Sequence, residues 1–196
     1  MPKADWVTNN IQTLFQGWNL YPTGRIKSVL DVGCGLSLKS QYIDADLRVG
    51  VEIHRPYIER IEASVPYAVV NANALSIDQL FLPKSFDLVL VLDLVEHLDK
   101  ADALRLLDMA ETIARVAVIV ETPRGFVPQN IDIWKGGGDT YQTHRSGWEP
   151  EEFAARGYEV RMRDYRMSDV KRHTELDVDP DIVMIDAIRV LSDDQP

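Results

Sequence analysis

The sequence holds one cysteine, Cys34, in 196 residues. An internal disulfide is therefore excluded, and packing alone must hold the fold, as in proteins of a reducing compartment. The cytoplasm is the expected setting. Long apolar runs are missing as well. The richest stretch, Phe86 to Leu98, is broken by Asp87, Asp93, Glu96 and His97, so it reads as a buried strand running into a loop or helix, not a membrane span. The opening Met1-Pro2-Lys3-Ala4-Asp5-Trp6 lacks the basic-then-apolar order of a signal peptide. No membrane partner is expected.

Positive charge is scarce. Lys and Arg number 21 against 31 Asp and Glu, a net charge of -10. Binding a phosphate backbone draws on clustered Lys and Arg, so nucleic acid is a disfavoured partner and a small-molecule or sugar ligand suits the balance better. His54 and His173 have no paired ligand at metal-site spacing, and the acidic string Glu175 to Asp181 reads as a solvated turn. No metal is expected, with Asp93 and Asp139 the residues weighed for one. No repeat or low-complexity block occurs. The pattern fixes no oligomeric state.

What is present is the composition of a globular chain, 45% hydrophobic and 27% charged, of a length that fits one domain over residues 1–196. Residues 1–24 look like a helical extension, with a helix from Trp6 to about Trp18. Short β-branched runs then alternate with helix-compatible stretches. Strands are expected at Ile26–Val32, Leu47–Ile53, Tyr67–Val70, Phe86–Leu92 and Arg115–Val120. Helices are expected at about Arg55–Ser64 and Ala101–Ala114, the latter with Leu104, Leu107 and Ile113 on a shared side. Strands apolar on both faces and separated by helices imply a mostly parallel sheet covered on both sides. Gly157–Arg166 and Asp181–Val190 have only the polar link Ser168 to Pro180 between them, which reads as an antiparallel hairpin at a sheet edge. The tail from Ser192 should fray. Residues 123–149, with Gly136-Gly137-Gly138 at their middle, form a long irregular loop of the kind that is usually functional or mobile.

The strongest local signal is Val29-Leu30-Asp31-Val32-Gly33-Cys34-Gly35-Leu36-Ser37. A strand drops into a glycine turn and an incipient helix, and the glycines let the chain turn tightly and a ligand approach closely. Glu52 ends the next strand, where a carboxylate can accept hydrogen bonds from both ribose hydroxyls of an adenosine ligand. At these residues the sequence resembles the class I S-adenosylmethionine-dependent methyltransferases. The resemblance runs from about Val29 to Val190 and includes Glu52 as the ribose acid and Asn73-Ala74 at the adenine. It also takes in Phe86-to-Leu98 as the fourth strand with its following segment, and the closing strand–turn–strand unit.

The resemblance implies a Rossmann-like, doubly wound α/β fold. Its seven-stranded sheet is mostly parallel and carries the antiparallel C-terminal hairpin. It implies S-adenosylmethionine as cofactor, held by Asp31, Gly33, Cys34, Gly35, Glu52, Ile53, Asn73, Ala74, Leu92 and Asp93, with Asp31 near the amino end of the methionine. Two positions depart from the family pattern. Ser37 stands at the usual third glycine, where its hydroxyl can cap a helix. Asn73 stands for the more common Asp, and its carboxamide still offers a donor and an acceptor.

Methyl transfer to a hydroxyl needs a positioned acceptor and a route for its proton. His97, just past the fourth strand, and His144, in Tyr141-Gln142-Thr143-His144-Arg145-Ser146-Gly147-Trp148, are the candidate bases. Tyr141, His144, Arg145 and Trp148 are candidate acceptor contacts, and so is Arg124, though Arg124 could instead neutralise nearby acids. The Pro-Pro-aromatic tetrapeptide of nucleic-acid amino-methylating enzymes is absent after the fourth strand. The function expected is methylation of a small molecule or sugar, at oxygen. The alternatives are a nicotinamide-dependent oxidoreductase, whose fingerprint wants a glycine where Leu38 stands, and a non-catalytic binding module.

Overall fold

The structure, a computed structural model, describes residues 26–36, 39–164 and 182–191. The expected N-terminal helix, Ser37, Leu38, His173, the Ser168–Pro180 link and the tail from Ser192 lie outside these residues. Seven strands form one sheet: β1 Ser28–Val32, β2 Leu47–Glu52, β3 Ala68–Asn71, β4 Phe86–Leu92, β5 Ala114–Pro123, β6 Glu159–Asp164 and β7 Val183–Val190. Their order is β3-β2-β1-β4-β5-β7-β6. The first five pair in parallel, while β7 lies antiparallel between β5 and β6. The mostly parallel sheet and its antiparallel C-terminal edge match the expectation.

Centre and edge differ as the sequence dictates. β1 and β4 are buried along their whole length, whereas edge strands β3 and β6 are half-exposed. Alternation divides the apolar side chains between two cores. Val29, Leu88, Leu90 and Ile119 pack on one face, and Leu30, Val32, Val89, Val91 and Val118 on the other. Among the described residues five α-helices occur: α1 Arg55–Ile58, α2 Ile77–Leu80, α3 Lys100–Ile113, α4 Asp139–Gln142 and α5 Pro150–Ala154.

Two helical expectations need correction. The expected helix Arg55–Ser64 stops at Ile58, because Tyr57 is its one buried residue and a second turn would have no apolar face to pack. In α3 the buried face consists of Ala103, Leu106, Leu107, Met109, Ala110 and Ile113. Leu104 stands at 36% exposure, because at about 100° per residue it falls outside the arc those six side chains occupy.

The entrances to β1 and β4 are clipped together. Asp87 Oδ2 accepts from the N–H groups of Lys27 and Ser28 at 2.7 and 3.1 Å, and Ser28 Oγ accepts from Asp87 N at 3.0 Å. Asp87 Oδ1 takes Arg115 Nε at 2.9 Å. Burial alone would raise this carboxyl's pKa, but the guanidinium and the two backbone donors outweigh it and hold the pKa low. A carboxylate depressed in the folded state contributes stability above its unfolded pKa of about 3.9 that is lost as pH falls through the folded value. Asp87→Asn is expected to lower stability at pH 7 by about 1–3 kcal/mol. It should also flatten the acid limb below about pH 4, as read by urea melts across pH.

Candidate functional site

The carboxyl ends of the parallel strands open onto one cleft with two compartments. The larger, about 370 Å³, is lined by Asp31, Gly33, Cys34, Gly35, Lys39, Leu92, Asp93, Glu96, His97 and His144, together with residues of the 123–134 segment. The smaller, about 210 Å³, is lined by Glu52, Ile53, Tyr57, Asn73, Ala74, Leu94, Leu98, Tyr141 and Arg145. Gly33, Gly35, Asp93, His97 and Gln142 border both. All ten residues expected at the cofactor thus line the cleft.

The turn after β1 is built for close approach. Gly33 and Gly35 have φ of +71° and +52°, and a Cβ on Gly35 would stand in open space rather than against protein. Glu52, buried at the end of β2, holds that turn: its Oε2 accepts Gly35 N at 2.9 Å and its Oε1 accepts His54 N at 2.7 Å. Each oxygen keeps a second lone pair, and Val51, Ile53, Ala72, Leu75 and Leu94 offer apolar wall nearby. These residues fit an adenosine: a carboxylate with lone pairs to spare, an apolar slot and backbone bare of side chains. Asn73 Oδ1 caps the following turn through Leu75 N at 2.9 Å. Asp31, at the end of β1, accepts from Tyr67 Oη at 3.0 Å. Burial raises its pKa against the pull of Ser40, Tyr67 and Lys39, and a cation beside it would favour its ionised form.

A charge cluster, not foreseen from the sequence, reaches the same compartment through Lys39 and Asp93, which line it, and runs back to buried Glu121 and Asp186. Lys39 bridges Asp93, at 2.7 Å, and Glu121, while Arg163 spans Glu121 at 2.7 Å and Asp186 at 2.9 Å. Burial would lower the Lys39 pKa, but the two carboxylates outweigh it and keep the ammonium charged. Burial pushes Glu121 up to about 7 and, with Asp93 adding to it, Glu96 up to about 8.

The expected irregular loop is anchored rather than loose. Buried Asp132 accepts Tyr57 Oη at 2.5 Å and the N–H groups of Trp134, Gly136 and Gly138 at 2.8, 2.5 and 3.0 Å. Further on, Arg145 N and Ser146 N donate to Glu96 O at 2.7 and 3.1 Å, stitching this loop to the turn after β4. Gly147 permits the crossing, since a Cβ there would lie 2.7 Å from Phe126 N. The stitch sets His144 against His97, with ring centroids 4.8 Å apart. His144 Nδ1 bonds Val127 O at 2.6 Å. Because a carbonyl only accepts, Nδ1 carries the proton and Nε2 keeps the lone pair. His97 is held neutral, its pKa lowered to about 4 by burial and by His144.

The candidate acceptor contacts divide. His144 faces the larger compartment, while Tyr141 and Arg145 face the smaller one beside Glu52. Trp148 and Arg124 border neither. Trp148 is fully buried, stacked on Phe153, with Lys100 Nζ 3.5 Å from its ring centroid. A large aromatic ring flanked by Phe153 gains more from the core than from the cleft, so Trp148, a candidate acceptor contact, packs inside instead. Arg124 is paired with Glu149 at 2.9 Å.

The methyltransferase-domain family profile matches residues 30–117. A comparison with curated protein sequences finds no match. Among solved structures, a SAM-dependent methyltransferase from Archaeoglobus fulgidus shares the fold at a TM-score of 0.59 and 18% identity, over 95% of this chain and 94% of that one. The N-methyltransferase NodS from Bradyrhizobium japonicum WM9 gives 0.62 and 11%, over 97% and 98%. Magnesium protoporphyrin IX methyltransferase from Synechocystis PCC 6803, solved with bound S-adenosylhomocysteine, gives 0.56 and 16%, over 96% and 83%. In this domain match and in its fold, the chain is similar to class I S-adenosylmethionine-dependent methyltransferases. No helix among the described residues is long and apolar enough to cross a membrane.

Asp132→Ala leaves three backbone donors and the Tyr57 hydroxyl without their acceptor. It is expected to cost about 1–3 kcal/mol and to raise amide exchange at Trp134, Gly136 and Gly138 while strands β1 and β4 stay protected, as read by hydrogen–deuterium exchange.

Proposed function

We propose that the protein, as a cytoplasmic enzyme whose domain spans the whole chain, methylates an oxygen of a hydroxylated small molecule or sugar. When bound, S-adenosylmethionine supplies the electrophilic methyl group. In this reading Glu52 holds the ribose hydroxyls, Asn73 and Ala74 meet the adenine, and Asp31 receives the ammonium of the methionine moiety. Gly33, Cys34 and Gly35 present the backbone that the cofactor crosses, while Ile53, Leu92 and Asp93 border it. Tyr141 and Arg145 belong to the cofactor side.

The observation that carries the choice of oxygen is the His97–His144 pair in the larger compartment. NodS shares the fold and is an N-methyltransferase, so the fold by itself does not select the acceptor atom. A neutral amine carries its lone pair before transfer, whereas a hydroxyl becomes a good nucleophile only as its proton is drawn off. Two neutral imidazoles with open ring nitrogens at the acceptor side serve that second requirement, and the net charge of -10 disfavours a nucleic-acid acceptor.

The test is turnover on a panel of hydroxylated small molecules and sugars with S-adenosylmethionine. His144→Ala is expected to lose about 10²–10⁴-fold in kcat with cofactor affinity retained. Wild-type turnover by that variant, or methylation confined to amines, would contradict the reading.

A further inference from the structure

Three potential ligand atoms meet in the larger compartment. Glu96 carries one carboxylate oxygen, and His97 and His144 one ring nitrogen each, all within 4.8 Å of one another. Glu96 is almost fully buried. His97 Nδ1 is the one buried side-chain polar atom among the described residues without a hydrogen-bond partner. A buried polar nitrogen left so is unfavourable, and the His144 ring lies against it, centroids 4.8 Å apart, with its Nδ1 bonded to Val127 O.

The His144 ring shows the arrangement expected around a metal. Ligating histidines give their other ring N–H to a carbonyl, which fixes tautomer and orientation. Val127 O does this for His144. Glu96 is braced likewise, its Oε2 taking Thr122 Oγ1 at 2.9 Å. Glu96 and His97 are neighbours on one turn, and Arg145 N and Ser146 N, held on Glu96 O, bring His144 across to them. Bonds of about 2.0–2.2 Å place ligand atoms about 3.3 Å apart in a tetrahedral site, so small side-chain rotations close this one.

We propose that Glu96, His97 and His144 bind a divalent cation of the first transition row. Two imidazoles and one carboxylate suit such an ion better than Mg²⁺ or Ca²⁺, which take oxygen ligands. Three protein ligands leave coordination positions open toward the cavity. An acceptor hydroxyl occupying one of them loses its proton to solvent more readily, as water does on a bound metal. This deepens the oxygen-methylation reading, on which it rests for the acceptor, by making the histidine pair act through a cation.

The experiment uses tag-free, EDTA-stripped protein titrated with Co²⁺, read by visible absorption and calorimetry, with S-adenosylhomocysteine binding measured on the same samples. One Co²⁺ per chain is expected, weakened at least about tenfold in both Glu96→Gln and His144→Gln, with S-adenosylhomocysteine affinity retained in each. Absence of stoichiometric Co²⁺ binding by the wild type, or wild-type binding by both variants, overturns the proposal. If either variant has lost S-adenosylhomocysteine binding, His97→Gln replaces it under the same criterion. Co²⁺ binding without turnover on any hydroxylated acceptor would sink the oxygen-methylation reading and leave the cation site standing.

Discussion

Glu52 carries the constraint on which the cleft depends. Its carboxylate is buried at the end of β2 and accepts one backbone N–H from the glycine turn and one from the start of the chain's next segment. The first of these bonds ties the turn after β1 to the end of β2 at Gly35, whose φ of +52° few side chains tolerate. A buried carboxylate needs such donors, because an unpaired charge away from water is strongly unfavourable. The same side chain therefore builds the turn and presents its remaining lone pairs to whatever enters the smaller compartment.

The second support lies across the sheet. Asp93 ends β4 with φ of +51° and anchors Lys39, and Glu121 passes the charge on to Arg163 and Asp186 on the antiparallel strands. Removing Arg163 would leave buried Asp186 without its cation. The C-terminal hairpin is thus tied electrostatically to the floor of the larger compartment, not merely appended to the edge of the sheet. The turn of residues 93–97 then serves two masters, since its backbone carbonyl at Glu96 also captures the loop that delivers His144.

Much of this was legible in the sequence for physical reasons. Strands such as Phe86–Leu92 betray themselves by being apolar on both faces, and Asp31, Gly33, Gly35 and Glu52 stand at strand ends where the chain must turn. What was not legible arises from contacts between distant segments. Asp132 looks like any loop acid until three N–H groups and Tyr57 converge on it. Trp148 reads as an exposed aromatic beside polar neighbours, yet the pairing of Gly125 with Trp148 folds it into the core. The meeting of His144 with Glu96 and His97 has no local spacing to announce it, because it depends on two backbone hydrogen bonds made by the residues that follow His144.

The measurement that bears most directly on the account is calorimetric titration of S-adenosylhomocysteine into the wild type and Glu52→Ala. The account expects one site per chain in the wild type and at least about a tenfold loss in the variant, equivalent to about 1.4 kcal/mol. Equal affinity in the two proteins, or no binding in either, would contradict the assignment of this cleft to the cofactor.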